Sequence, residues 1–451
     1  MTDELTLEEL SARTGEPVEG LRRWRELGLI GSAEGDGFGP EDEARVQLTQ
    51  LGMRRGVPLE AIAQAFREGL LVWHCAELTR RGRSYPLADA AEMLGIDPEL
   101  LRRFLQAAGL GDWPEPTAAE DEMETLRSLK IALDAGFPEE ALLQLVRVLA
   151  EGLGKIAEAE TRLFRFYLMR PLQEQGLTGP DLLKAIDAIN AQTVPLAEPA
   201  ILFFHQKARE KAARDDAAVV MAEAAGLLQG KGPPGQMPAA IAFVDLSSFT
   251  PLTEAMGDEK AAEVLERFSS LVRESAARWD GRVVKQIGDA FMLVFPDARS
   301  AVAFTMEAEA KTSDEPSFPA ARSGVHWGQV LYREGDYVGS NVNIAARVAA
   351  EAQRHQVLVT AAVRNEAKGL PGVEFVRLGK RRLKGLASEL VLFEARAAGA
   401  QVTEQHIDPV CGMEMGPAEV AARLTLEGAE RAFCSEECLR RYVATPERYS
   451  T

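Results

Sequence analysis

At 451 residues the chain is too long for one ordinary domain, and about three is the expectation. Its 46% hydrophobic and 27% charged residues are those of a globular protein, and a net charge of −18 argues against broad non-specific binding to nucleic acid or an anionic membrane. No apolar run reaches the roughly 18 residues a membrane span needs, and the acidic opening MTDELTLEEL lacks an apolar signal core. A cytoplasmic protein with no membrane association is expected. Four cysteines make no disulfide framework; three of them cluster near the C-terminus, more like a ligand set.

The first half carries an internal duplication. LEELSARTGEPVEGLRRW, from Leu7, recurs as LADAAEMLGIDPELLRRF from Leu87, and GVPLEAIAQAFREG, from Gly56, recurs as GFPEEALLQLVRVL from Gly136. Both pairs are offset by 80 residues, and agreement between two separated blocks marks a repeat. Each unit reads as helix, turn, helix, a variable stretch, then two more helices, with Pro58 and Pro138 suited to a first helical turn. The stretch LTLEELSARTGEPVEGLRRWRELGLI resembles a MerR-type winged helix-turn-helix. That resemblance implies a second helix presented to DNA, here bearing Arg22, Arg23 and Arg25. Charge opposes this use: residues 1–70 hold 8 Arg or Lys against 14 Asp or Glu. DNA binding is therefore disfavoured, and dimer contact or regulation is the expected role. From Pro138 to Gly226 apolar residues recur at helical spacing with charges on the other face, which predicts a helical bundle ending in a connecting helix.

A Gly/Pro linker, QGKGPPGQMP over 229–238, precedes a β/α pattern running from Ala239 to Ala395. IAFVDLSSFT, 241–250, reads as a buried strand delivering Asp245, then a loop and a helix with Thr250 as cap and Pro251 in its first turn. A carboxylate beside a helix N-terminus suits a cation and a phosphate together. VVKQIGDAFMLVF, Val283 to Phe295, reads as a hairpin with Lys285 in its first strand and a second carboxylate, Asp289, in its tight turn. If the two strands are neighbours, Asp245 and Asp289 share two metal ions, and paired Asp suits Mg2+. Singly, each residue has a plainer reading: Asp289 as a turn former, Asp245 as a helix cap, Lys285 as a strand lysine with its amine in water. GDYVGSNVNIAARVAAEA, from Gly335, reads as a loop into a helix with Asn343 and Arg347 on one face; the strand QVLVT and a hairpin containing RRLKGLASELVLFEA follow.

FVDLSSFT, KQIGDA, GDYVG followed by VN and AAR, and LKG, in this order and at these spacings, resemble the class III nucleotidyl cyclase domain over residues 239–396. The resemblance implies an α+β, ferredoxin-like or palm-type fold that converts ATP to 3′,5′-cyclic AMP and pyrophosphate with two Mg2+ or Mn2+ ions per site. It implies that Asp245 and Asp289 hold the metals and that Lys285 and Asp336 read the purine. Asn343 would orient the ribose, Arg347 would stabilise the pentavalent transition state, and Lys384 would bind the triphosphate. Phe249 and Thr250 would lie in the phosphate-binding turn. A homodimer is implied too, with the metal residues and Lys285 from one chain and Asp336, Asn343 and Arg347 from the other. The chemistry of the purine pair points the same way. A lysine donor meets adenine N1 and an aspartate acceptor meets its N6 amino group, whereas guanine reverses both demands, and a mismatch costs a few kcal/mol. His326, in GVHWGQV, falls in a strand where packing is its expected role. The second repeat and the bundle resemble the regulatory region that precedes the cyclase in certain actinobacterial adenylyl cyclases.

The tail, HIDPVCGMEM to RAFCSEECLRRYVATPERYS, resembles the YHS domain of metal-handling proteins through DPVCGM, the FC…C pair and the closing PERY. The family's tyrosine and histidine are not evident in LTLEGAERAF, before the cysteine pair. Cys434 and Cys438, four apart, make a soft-metal set for zinc or copper(I) with Cys411 and His406, and a metal would help so small a tail fold. The alternative is three reduced thiols. Cys75, in LLVWHCAEL, reads as a core residue.

The expected architecture is multidomain. An all-α N-terminal half holds helix-turn-helix repeats at 1–72 and 80–150 and a regulatory bundle with its connecting helix at 151–228. The cyclase domain spans 236–398, and a small α+β cysteine-bearing tail spans 404–451. The expected function is an adenylyl cyclase regulated by its N-terminal half and by metal or redox state at the tail. The alternative is a MerR-like transcription regulator that uses the cyclase domain as a nucleotide sensor.

Overall fold

The computed structural model describes residues 5–31, 37–79, 84–110, 117–120, 122–226, 235–315, 318–386, 388–399, 406–417, 419–426 and 428–449. Most of the expected linker at 229–238 and the break before the tail lie outside the described residues. The chain divides into two compact units, Met1–Gly230 and Lys231–Thr451.

The first unit is helical, and its duplication reaches the packing. Helices Leu7–Thr14, Val18–Glu26, Pro40–Arg54 and Leu59–Arg67 are followed in the same order by Leu87–Leu94, Pro98–Ala107, Glu122–Asp134 and Glu139–Leu163. Leu10, Leu21, Trp24, Ile62 and Ala63 are buried in one apolar cluster; Ala90, Leu101, Phe104, Leu142 and Leu143, each 80 residues on, are buried in another. The β-bridge from Leu5 to Phe38 has its counterpart at the same offset, Tyr85 to Ala118. The first helix opens on a capping box: Thr6 Oγ1 accepts from the Glu9 N–H at 3.2 Å, and the Glu9 carboxylate accepts from the Thr6 N–H at 2.7 Å. Pro58 and Pro138 stand one residue ahead of their helices, as N-caps. Gly179–Ala224 is a 46-residue helix. Leu182 and Ile186 on it are buried, whereas Val194, Leu196, Leu202, Phe203 and Phe204 are exposed.

The second unit is built on a mixed eight-stranded sheet. Its strands run across the sheet in the order Arg282–Ile287, Ala290–Phe295, Gln236–Leu246, Ala321–Arg333, Val357–Thr360, Leu390–Ala397 and Val373–Arg381, with Asp336–Val338 paired to Ala321–Arg333. All pairings are antiparallel except Ala321–Arg333 with Val357–Thr360. Alternation along the strands divides the side chains between two faces. Ala240, Ala242, Phe291 and Leu293 pack with Phe268 and Phe304 of helices Asp258–Arg278 and Ala298–Asp314. Ile241 and Met292 face the other way, towards Val342 and Ala345 of helix Ser340–Glu351. That helix sits close on its strand because two strand residues lack side chains. A Cβ on Gly324 would fall 2.1 Å from the Ala349 nitrogen, and one on Gly328 would fall 2.6 Å from Nδ2 of Asn341.

The tail forms two short hairpins, His406–Ile407 with Glu414–Met415 and Ala422–Leu426 with Ala429–Phe433, then helix Glu436–Ala444. Among the described residues it has no separate core. Val410, Cys411, Met413, Phe433, Cys438 and Tyr442 belong to the same apolar cluster as Leu252, Phe268 and Phe291 of the sheet domain. A segment this short cannot enclose a core alone, so it borrows one.

Candidate active site

Asp245 is the penultimate residue of the central strand Gln236–Leu246. Beside that strand lies the hairpin, whose two strands are joined by the two-residue turn Gly288-Asp289. Gly288 has φ of 63°, left-handed at the first turn position, as a type II′ turn demands. The turn brings Asp289 against Asp245. Burial, the Asp245 charge and a hydrogen bond between the two carboxyls push Asp289 up to about 6. A cation beside such a pair offsets its charge. Arg322, the register partner of Asp245 on the next strand, supplies one here: its Nε donates to Oδ2 of Asp245 at 3.0 Å, and Nη2 donates to the same oxygen. Sequence reading passed over Arg322. It stands in AARSGVHWG at the start of a strand, and nothing short of the sheet register assigns it to Asp245. The hard oxygens and mutual repulsion of the two carboxylates fit a divalent ion such as Mg2+.

Lys285 is aimed by a β-bulge. The register skips Val284, so Lys285 pairs with Met292, on the face covered by helix Ser340–Glu351. Its amine there forms an ion pair with Asp336 of the same chain. The family resemblance implied that these two meet across chains; within one chain they already neutralise each other. Asp336 begins the short strand Asp336–Val338, in a stretch expected to be loop. Asn343 and Arg347 lie one turn apart on the exposed face of helix Ser340–Glu351, and Lys384 is exposed between the last two strands of the sheet. Phe249 and Thr250 begin helix Phe249–Met256, whose N-cap is Ser248 with φ of 67° rather than Thr250. The left-handed turn at Ser248 starts the helix two residues early. Pro251 then stands third in the helix, where the missing N–H has no intrahelical partner to lose.

His326 is buried with both nitrogens engaged, Nδ1 to Thr360 Oγ1 at 2.8 Å and Nε2 to Asn341 Oδ1 at 3.0 Å, and burial lowers its pKa. It is held neutral as a packing residue. A cavity of about 820 Å³, lined by Glu263, Arg267, Lys311 and Phe318 among others, belongs to the opposite face of the sheet.

The tail brings three of its four expected ligands together. Cys411 and Cys434 sulfurs are 3.5 Å apart, and Cys434 and Cys438 sulfurs 3.7 Å. Four sulfurs around zinc at 2.3 Å stand about 3.8 Å from one another, so the spacing suits a metal. His406 is not of the group; its Nε2 lies 3.5 Å from Arg423. Its place beside the sulfurs is taken by Asp408, which is fully buried. The Asp408 carboxylate accepts from the N–H groups of Val410 at 2.8 Å, Cys411 at 3.3 Å and Cys434 at 2.8 Å. These bonds shape the two cysteine loops, and Asp408 stands with the three sulfurs as a group able to hold a metal ion. Hydrogen bonds with Cys434 and Cys438 raise the Cys411 pKa, and those with Cys411 and Cys434 lower that of Cys438. Cys75 is buried in the core of the first repeat, as expected.

Residues 235–395 match the family described as the adenylate and guanylate cyclase catalytic domain, and residues 34–206 match the adenylate cyclase regulatory domain. The sheet domain is thus that of a class III cyclase. A relative named pH-sensitive adenylate cyclase MT1302, from Mycobacterium tuberculosis, is 31% identical over 372 residues, 80% of this chain and 90% of that protein. An adenylate cyclase of Streptomyces coelicolor is 28% identical over 63% of this chain and 72% of its own length. The adenylyl cyclase CyaB of P. aeruginosa aligns over 37% of this chain and 97% of that chain at 16% identity, with a TM-score of 0.33, too low to add to the assignment. The chain belongs to the adenylate cyclase family and is a class III adenylate cyclase. No helix among the described residues is long and apolar enough to cross a membrane.

Proposed function

We propose that this adenylate cyclase works as a homodimer with two shared sites. Asp245 and Asp289 of one chain hold two Mg2+ or Mn2+ ions. When bound, these ions supply the charge that acidifies the ribose 3′-hydroxyl and neutralises the triphosphate. Lys285 of that chain donates to adenine N1, and Asp336 of the other accepts from the N6 amino group. The Lys285–Asp336 pair within one chain has side chains 40% and 37% exposed. Pairs so open to water contribute about 0–1 kcal/mol, so the base and a second chain replace it at little cost. Asn343 orients the ribose, and Arg347 meets charge growing on the α-phosphoryl oxygens. Lys384, the free N–H groups of the turn at Phe249 and Thr250, and Arg322, displaced from Asp245, hold the departing pyrophosphate.

The observation that carries this reading is the pairing of Asp245 with Asp289 where strand end meets hairpin turn, two carboxylates placed to share divalent cations. Mixing Asp245→Ala chains with Arg347→Ala chains tests it. Each variant alone is expected to be inactive, and the mixture to regain cyclic AMP synthesis at one intact site. A mixture as dead as its parts rejects the shared site.

The N-terminal unit is read as the regulator, its exposed apolar helix faces serving contacts with a second chain. DNA binding is not part of the proposal: Arg23 stands 3.9 Å from Glu60, and Arg103 pairs with Glu139 and Glu140. The tail is read as a YHS-like module in which Cys411, Cys434 and Cys438 hold zinc or copper(I).

A further inference from the structure

The tail grips one catalytic element at both ends. The element is helix Phe249–Met256, which follows Asp245 and opens at the proposed phosphate turn. At its start the backbone of Gly412, with φ of 73°, lies against Ser248: a Cβ on Gly412 would be 2.5 Å from the Ser248 Cβ. Arg354 ties the two together, Nη1 donating to the Gly412 carbonyl at 2.8 Å and Nη2 to Oγ of Ser248. Arg354 itself stands three residues past the helix that carries Asn343 and Arg347. At the far end of Phe249–Met256, Arg441 donates to the Glu254 carbonyl at 3.0 Å and Arg448 to the Glu254 carboxylate at 2.6 Å.

The turn has reason to need holding. Ser248 occupies the left-handed region without being glycine, and the buried Ser247 hydroxyl has no hydrogen-bond partner among the described residues. Such a conformation persists where its surroundings over-determine it. Both grips are wired to the sulfurs. Cys411 is the chain neighbour of Gly412, and Cys438 shares helix Glu436–Ala444 with Arg441.

We propose that a soft metal ion on Cys411, Cys434 and Cys438 locks the phosphate-binding turn through Gly412, Arg354 and Ser248, making Arg354 a positioning residue for ATP. This rests on the reading of the cysteine cluster as a metal site. A bound ion fixes the Gly412 carbonyl, Arg354 spans from it to Ser248, and the turn keeps the shape that receives phosphate. Without the ion the loop at Gly412 loosens, and ATP must order the turn itself.

Zinc is the probe, and the full chain is the sample. Zinc content is measured by atomic absorption, and KM and kcat for ATP are measured on zinc-loaded protein and on protein stripped by a chelator that is then removed. The wild type is expected to retain zinc and to show a KM about fivefold or more higher once stripped, with a smaller change in kcat. Cys434→Ser loses the zinc and matches the stripped protein. Arg354→Ala keeps its zinc yet has the raised KM in both states, Arg354→Lys falls between, and combining Arg354→Ala with Cys434→Ser adds nothing to either alone. Zinc retained with an unchanged KM on stripping overturns the coupling alone, as does a wild-type zinc response in Arg354→Ala. A wild type that binds no zinc overturns the metal reading and the coupling with it.

Discussion

The second unit holds two clusters that call for a cation, and they are built on opposite chemistry. At the strand ends, Asp245 and Asp289 offer hard oxygens, and the guanidinium of Arg322 stands beside them. In the tail, the sulfurs of Cys411 and Cys438 close on that of Cys434, and the neighbouring group is another acid, the buried Asp408. The first cluster suits exchange, since an arginine can yield to a metal and its nucleotide at each turnover. The second, on the proposed reading, suits retention, because soft sulfur ligands out of reach of water release an ion slowly.

The largest expected effect separates the two outright. Asp289→Ala should lower cyclic AMP synthesis on the order of 10³-fold while leaving the zinc content untouched. Loss of zinc in that variant would show that the clusters are not independent. A smaller effect comes from Lys285→Glu, which places an acceptor where adenine N1 also accepts. It should reduce the preference for ATP over GTP, measured as a ratio of kcat/KM values, by about 10- to 100-fold with metal binding preserved. An unchanged ratio would remove Lys285 from the purine site.

The smallest effect is one of stability. The Asp289 pKa rises from 3.8 to about 6 on folding, so between these values the folded chain binds more protons than the unfolded one. Metal-free protein should therefore lose stability as pH rises through that window. Asp289→Asn should lack this slope, and bound Mg2+ should remove it from the wild type. Urea midpoints across pH 4 to 7 measure the difference; parallel curves for wild type and variant would mean that folding does not raise the Asp289 pKa.

Much of this was legible in the sequence, for local reasons. The hairpin at Val283 to Phe295 announces itself by two apolar runs around Gly-Asp, and the N-terminal duplication by a constant offset that the buried positions later share. The exposed pair Asn343 and Arg347 follows from helical spacing alone. What stayed hidden depends on register and packing. A bulge at Val284 leaves no mark in composition, yet it decides which face Lys285 takes. The partner of Asp245 is 77 residues away along the chain. By residue type His406 reads as a ligand, but hairpin geometry turns it towards Arg423, and Asp408, which residue type does not single out, stands beside the sulfurs. The tail looked like a separate module because its composition changes, while its apolar residues were destined for a neighbour's core.

The missing side chains at Gly324 and Gly328 have a mechanical consequence. With a helix backbone lying flush on a strand, no flexible layer separates Asn343 and Arg347 from the sheet that carries Asp245. Strand and helix behave as a single tile. A regulator gains little by bending such a tile and much by sliding one whole tile against another. In the proposed homodimer the lever arm would be the full width of the domain, so a small tilt applied far from the chemistry would become an ångström-scale change in the distance between Arg347 of one chain and the phosphates held by the other.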